Sequence, residues 1–591
     1  MLNPERLPRV TGSHNVSRMN FDPEVTTAHH FPEPLLIIDS TLRKSLFTAG
    51  HATSTAGFQR MAEALGEIGV RHESININWS GSGEPSAQEY ALVNAIAGRD
   101  FGFTLNVYAD TLLGNGRDPM PVTMQHTVGT LLDAGVQVLA PGIVEAPDAT
   151  AEDRQRDELA AYFDYAGRVG VRTTITLAQV GLRDFDRMLA MANLAASLGA
   201  ERLDLMDSSS SMSVDAMRAF VTRFRNGLTT PVPITMHMHD EFGLASAGAI
   251  AAVTAGASPD VSFNKVSYRS GFAAFEEVVL ALEVLYGLDT GIHLDRIMEV
   301  SRLVARETGL ELPPLKALTG GYAYLKHMPG DAAAAIRTGQ DAFPPISHGL
   351  VPARMGQTVT WVWGGLSSDA MVYALAESLG LTVTADEVGP VRRAVDRVVA
   401  ALTGYPRWLQ PDDAAAALEN ALSIVRAGIS SDTLRALVTD AVPASPLADH
   451  VLSDTASIPA PELPVAVAES VLATEDSTLL ASLDGFNSLA VAAEPPANSA
   501  SASEESGITR ADPAVRASIA RLSRLAEERF GYRLVIACDG LTGEQIVAAI
   551  ASRLGDSATR AVEHTRFAVA TILRGRVERA LAAASTTATE G

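Results

Sequence analysis

The chain has 591 residues, 47% of them hydrophobic and 19% charged, with a formal net charge of −23 and a pI near 5.0. That length provides for about two to four domains, and the acidic balance excludes a surface that attracts nucleic acid or an anionic membrane. A lone cysteine, Cys538, rules out an intrachain disulfide and reads as a buried small hydrophobe. No run of about 18 uncharged apolar residues is present and residues 1–34 lack a signal-peptide core, so the sequence predicts a cytoplasmic protein that works on small molecules.

Residues 1–34, with Pro, Asn, Ser and His29-His30, read as a loose arm. From 35 to 266 a short β-rich run, a polar loop and a helical stretch repeat. Strands are expected at 35–41, 71–78, 102–109, 136–142, 172–178, 202–208, 232–239 and 262–267, and helices at 55–68, 88–97, 153–168, 185–198 and 214–224. Eight alternating units predict an α/β fold, a TIM barrel, with its active site at the carboxyl ends of the strands. A doubly wound open sheet is the alternative, but no GxGxxG follows a strand. The strand ends offer Arg43, Lys44, Asn76, Asn78, Gln179, Asp207, Ser208, His237, His239, Asn264 and Lys265. His237 and His239 stand at i and i+2 of one strand and so point to the same side, as a metal half-site or a structural pair does. Beyond the barrel come a helical arm at 295–309, a Pro/Gly-rich stretch at 312–353, the pair Trp361 and Trp363, and amphipathic segments at 369–379 and 386–402. The domain reading is an arm (1–34), a barrel (35–314), a connecting subdomain (315–404), a helical linker (405–429) and an all-α domain (430–591), with 441–464 irregular and 494–506 a loop.

Asp39-Ser-Thr-Leu-Arg43, His237-Met-His-Asp-Glu-Phe-Gly-Leu-Ala245 and Ser270-Gly-Phe-Ala-Ala-Phe-Glu-Glu-Val-Val-Leu-Ala-Leu282 resemble the 2-isopropylmalate and homocitrate synthase family, within the superfamily of hydroxymethylglutaryl-CoA lyase. The likeness runs on through Leu288-Asp-Thr-Gly-Ile292, Pro313-Pro-Leu-Lys-Ala317 and Phe343-Pro-Pro-Ile346, over 35–402. It implies a TIM barrel, a homodimer and a Claisen-type condensation of an acyl-CoA with a 2-oxo acid, assisted by a divalent metal (Mg, Mn or Zn). Arg43 matches the arginine that stabilises the oxyanion, and His237 and His239 match two metal ligands. The family's next ligand, an aspartate directly after that arginine, is Lys44 here. Its asparagine near the metal is Phe272, its glutamate after the fifth strand is Gln179, and its catalytic histidine falls at His327. A lysine does not coordinate a metal in that position, so weak or absent metal binding is expected, with Lys44 in the cation's place. Asn78, Asp207 and Ser208 complete the expected substrate-binding set. Reverse cleavage and a catalytically silent scaffold are the alternatives.

The last segment, with Leu534-Val-Ile-Ala-Cys538 and Gly543-Glu-Gln-Ile-Val547, resembles the all-helical OHCU (ureidoimidazoline) decarboxylase family over 430–581. Where that family carries His-Pro the chain reads Leu480-Ala-Ser-Leu-Asp-Gly485, and Ser501-Ala-Ser-Glu-Glu-Ser506 keeps only the acid of its second motif. The resemblance therefore implies the fold without the catalytic imidazole.

Overall fold

The computed structural model describes residues 16–50, 53–115, 120–338, 349–400, 402, 407–428, 431–442, 446–455, 458–486, 489, 508 and 510–589. The Phe343-Pro-Pro-Ile346 motif, the loop 494–506 and the acid motif within it lie outside these. Two compact units emerge, Met1–Leu325 with Phe343–Val359 and Lys326–Ala342 with Thr360–Gly591.

The first unit is the predicted TIM barrel. Its strands are β1 Ile38–Asp39, β2 His72–Ile77, β3 Thr104–Ala109, β4 Val138–Ile143, β5 Arg172–Thr173 continued by Ile175–Leu177, β6 Leu203–Asp207, β7 Ile234–Met238 and β8 Ser258–Val261. Every pairing is parallel, and the ring closes because Ile38 of β1 is in register with His72 on one side and with Asp260 of β8 on the other. β4, β6 and β7 are buried along their whole length, as strands covered on both faces must be. The helices return each strand to the same end. Thr55–Ile68, for example, starts on a Ser54 hydroxyl that accepts from the Gly57 N–H at 3.1 Å and turns Met61, Leu65 and Ile68 into the core. It stops at Gly69, at φ 111°, where a Cβ would stand 2.5 Å from the Gly291 carbonyl oxygen.

Four expectations are corrected. The eighth strand ends at Val261 rather than running through 262–267, because the chain turns at Phe263–Lys265 with Asn264 and Lys265 at φ 58° and 63°. Helices form at Met124–Asp133 and Ala245–Val253, where none was expected, the second so rich in Ala that no apolar stripe marks it. A third, Thr41–Phe47, carries Arg43 and Lys44, which were expected at a strand end. The segment 441–464 is not irregular but contains the helix Pro446–Thr455.

In the second unit, Asp369–Ser378, Ala385–Ala400 and Pro411–Ala427 pack around Trp363, whose indole N–H donates to Asp396 at 3.0 Å. Further on, Leu463–Ala473 lies against Ala558–Thr589, and Pro513–Phe530 pairs with Gly543–Arg553 over a core that includes Cys538. A cavity of about 300 Å³ there is lined by Phe486, Val535, Cys538, Arg574, Arg576 and Arg579 among others, and by no histidine among the described residues. Among the described residues no helix is long and apolar enough to cross a membrane.

Candidate active site

β1 leads directly into the site. Asp39 accepts hydrogen bonds from the Thr41 N–H and hydroxyl, both at 2.9 Å, and this turn starts the helix Thr41–Phe47. Arg43 and Lys44 sit on that helix and are buried, with 9% and 1% of their surface exposed. Lys44 Nζ lies 3.1 Å from His237 Nε2 and 3.3 Å from His239 Nε2. The Phe272 and Tyr268 rings flank it, with centroids 4.6 and 5.5 Å from Nζ. Gly271, at φ 102°, makes the bend that sets Phe272 beside His239, and a Cβ on it would come within 2.9 Å of the Lys265 carbonyl oxygen.

The imidazoles are held from behind. His237 Nδ1 is 2.6 Å from Asp260 Oδ2, and Asp260 also accepts from the Ser40 hydroxyl at 2.7 Å. A proton on Nδ1 leaves the Nε2 lone pair facing Lys44. Arg43 is fixed through Nε, which donates to Asn76 Oδ1 at 2.9 Å. Asn76 in turn donates to Glu89 at 2.7 Å, and Glu89 accepts from the Asn78 backbone and side chain, both at 2.8 Å. Arg43 Nη1 is buried with no hydrogen-bond partner among the described residues.

Burial dominates the electrostatics. It drives the Lys44 ammonium well below the ordinary lysine range, helped by the charge of Arg43. Burial and then Lys44 hold His237 well below its usual value and take His239 to about 2. Deeper in, Asp39 and Glu73 face each other in register. Burial pushes Asp39 up to about 7, and burial followed by the Asp39 charge pushes Glu73 well above the carboxylate range, so the pair retains a proton.

The other expected residues do not join this cluster. The Asp207 carboxylate is taken up by its own turn, accepting from the Ser211 N–H and hydroxyl at 3.0 Å and the Met212 N–H at 3.3 Å. Ser208 gives its carbonyl to Arg269 at 2.6 Å. Gln179 stands exposed at φ 55° on the loop after β5. His327 is exposed in the second unit, just before the helix Pro329–Thr338. Asp240 is paired with Lys265 and caps Ala245 at 2.7 Å.

These residues do not fit a divalent ion. Two imidazole nitrogens bind zinc at about 2.0–2.1 Å, so an ion on both Nε2 atoms would occupy the volume of the Lys44 amine. Among the described residues no anionic ligand joins the two imidazoles there, and no three metal-ligating side chains gather anywhere.

Sequence reading missed Asp39, Glu73, Asp260 and Tyr268 as parts of the site. Asp260 escaped because β8 was placed too late, which left it in a loop. An acid inside an apolar strand run, as at Glu73 and Asp260, was the available signal.

Residues 149–304 match the HMGL-like family and residues 428–578 the OHCU decarboxylase family. A provisionally named (R)-citramalate synthase of Methanopyrus kandleri is 28% identical over 370 residues, 62% of this chain and 69% of that one. The homocitrate synthase of the same organism is 28% identical over 59% of this chain and 84% of its own. 2-Isopropylmalate synthase 2 of Caldanaerobacter subterraneus subsp. tengcongensis is 29% identical over 54% and 80% respectively. The first match takes in the later part of the barrel with the helices after it and the second most of the C-terminal helices, and over these two stretches the chain is similar to the HMGL-like and OHCU decarboxylase families.

Proposed function

We propose that this chain forms a carbon–carbon bond between an acyl-CoA and a 2-oxo acid by a Claisen-type condensation that uses side-chain cations and imidazoles. The observation that carries the reading is Nη1 of Arg43, a buried donor with no hydrogen-bond partner among the described residues, on the residue that precedes the Lys44 amine between His237 and His239. A fixed guanidinium N–H in a dry site stabilises the oxygen on which charge develops as the new bond forms. His239, neutral at pH 7, is the base for the α-proton of the thioester, with the Lys44 amine 3.3 Å from its Nε2. Asn78, Gln179, Asp207 and Ser208 are assigned to substrate binding and His327 to proton transfer on the resemblance alone. The synthase names of the relatives support the substrate class.

The test is free thiol released from acetyl-CoA and longer acyl-CoAs in the presence of a panel of 2-oxo acids. Release is expected with at least one pair and is expected to fall about 10²–10³-fold in Arg43→Ala. Silence across every pair would remove the reading. A homodimer is part of the same proposal, and sedimentation velocity showing only monomer would remove that part.

A further inference from the structure

We propose that Lys44 is a nucleophile, whose amine condenses with the keto carbon of short 2-oxo acids so that the protein exchanges their C3 protons without any thioester. The chain has only four lysines against 42 arginines, and three of the four are held by carboxylates. Lys265 pairs with Asp240, Lys316 with Glu276, and Lys326 lies 3.8 Å from Asp331. Lys44 alone faces two imidazoles.

That arrangement is a nucleophile, a base and a group that orients the base. Nζ is 3.1 Å from His237 Nε2, and His237 Nδ1 is 2.6 Å from Asp260, itself fixed by Ser40 at 2.7 Å. Two N–H groups of the amine satisfy the two Nε2 acceptors, which leaves the nitrogen lone pair for a third direction. The ligand class follows from the neighbour. Nη1 of Arg43, buried with no hydrogen-bond partner among the described residues, is assigned the C1 carboxylate, and the adjoining C2 carbonyl carbon is the electrophile for the Lys44 amine. Phe272 and Tyr268 restrict the group on C3 to a short one.

The steps balance. The Nζ lone pair adds to C2, an imidazole relays the proton lost by the nitrogen to the carbonyl oxygen, and a second proton, drawn from solvent and returned on hydrolysis, lets that oxygen leave as water, giving an iminium. His239 then removes a C3 proton to form an enamine. Reprotonation from solvent and addition of water return the 2-oxo acid and the free amine. No oxidant or reductant is needed. The choice of a 2-oxo acid rests on the proposed function, but the activity requires no acyl-CoA.

The full-length protein is incubated in D₂O with pyruvate, 2-oxobutyrate or 2-oxoisovalerate. Loss of C3 protons is followed by NMR, and a parallel sample is reduced with sodium cyanoborohydride and mapped by mass spectrometry. Exchange at least about tenfold above the protein-free rate is expected, with a reduced adduct on Lys44 and not on Lys265, Lys316 or Lys326. Asp260→Asn, a change to a positioning residue, should slow exchange while the reduced adduct still forms on Lys44, and Lys44→Met should abolish both. Absence of a Lys44 adduct with all three acids, or adducts spread evenly over the four lysines, overturns the inference, and the wild-type trapping decides even where a variant fails to fold. Thiol release without exchange or adduct would leave the condensation standing and sink this proposal, whereas exchange without thiol release would do the reverse.

Discussion

At the scale of single residues, what defines the site is an amine where an anionic ligand would have to be. Because Lys44 Nζ stands within 3.3 Å of both Nε2 atoms, an ion reaches them only if the amine withdraws. Protein purified without chelator should therefore contain less than stoichiometric Mn or Zn by elemental analysis, and Lys44→Asp should take up close to one equivalent. Stoichiometric metal in the unmodified chain would contradict this.

Asp39 supports a second prediction. Its carboxyl is raised from 3.8 to about 7 in the folded state, so the folded chain binds the proton more tightly than the unfolded one. The stabilisation this gives is complete below pH 3.8 and is lost as pH rises from there through about 7, with a slope that approaches 1.4 kcal/mol per pH unit midway between these values and vanishes above them. This group's contribution to the melting temperature should fall between about pH 4 and 7 and level off above, and Asp39→Asn should flatten that fall. An unchanged slope in the variant would assign the titration elsewhere.

At the scale of elements, the barrel holds its later loops by buried ion pairs. Lys316 lies on the loop after the helix Ile297–Thr308 and is almost wholly buried against Glu276, which is 0% exposed, on the helix Phe275–Val284. Glu277 adds a second contact at 3.4 Å. Removing the cation alone leaves an uncompensated buried carboxylate, so Lys316→Met should destabilise the first unit by about 3–5 kcal/mol. The double variant Lys316→Met with Glu276→Leu should recover most of the loss. Chemical denaturation followed by tryptophan fluorescence measures both, and a neutral single variant would show that the pair is not what holds this loop.

At the scale of the whole molecule, two compact units each have their own apolar cores. Independent cores melt as independent cooperative blocks. Scanning calorimetry of the full chain should give at least two transitions, with Lys316→Met moving one and leaving the other. One transition whose calorimetric and van't Hoff enthalpies agree would count against this.

Much of this molecule was legible in the sequence. The β-rich runs between helix-period stretches determined a parallel barrel, because apolar residues at period 2 and at period 3.6 bury in only a few ways. The same pattern brought His237 and His239 to one strand end, since i and i+2 share a face. Arg43 and Lys44 followed from their place after Asp39, and the missing histidine near Leu480 was plain from composition. Tertiary structure alone decided the rest. That Lys44 fills the space between the two imidazoles depends on a helix, Thr41–Phe47, too short to show a period. That Asp260 orients His237 depends on β8 closing against β1, a pairing of residues more than 200 positions apart that local pattern does not encode. Protonation is decided there as well, because a side chain's pKa follows from what excludes water around it, and only the folded barrel puts Asp39, Glu73 and Lys44 out of reach of solvent.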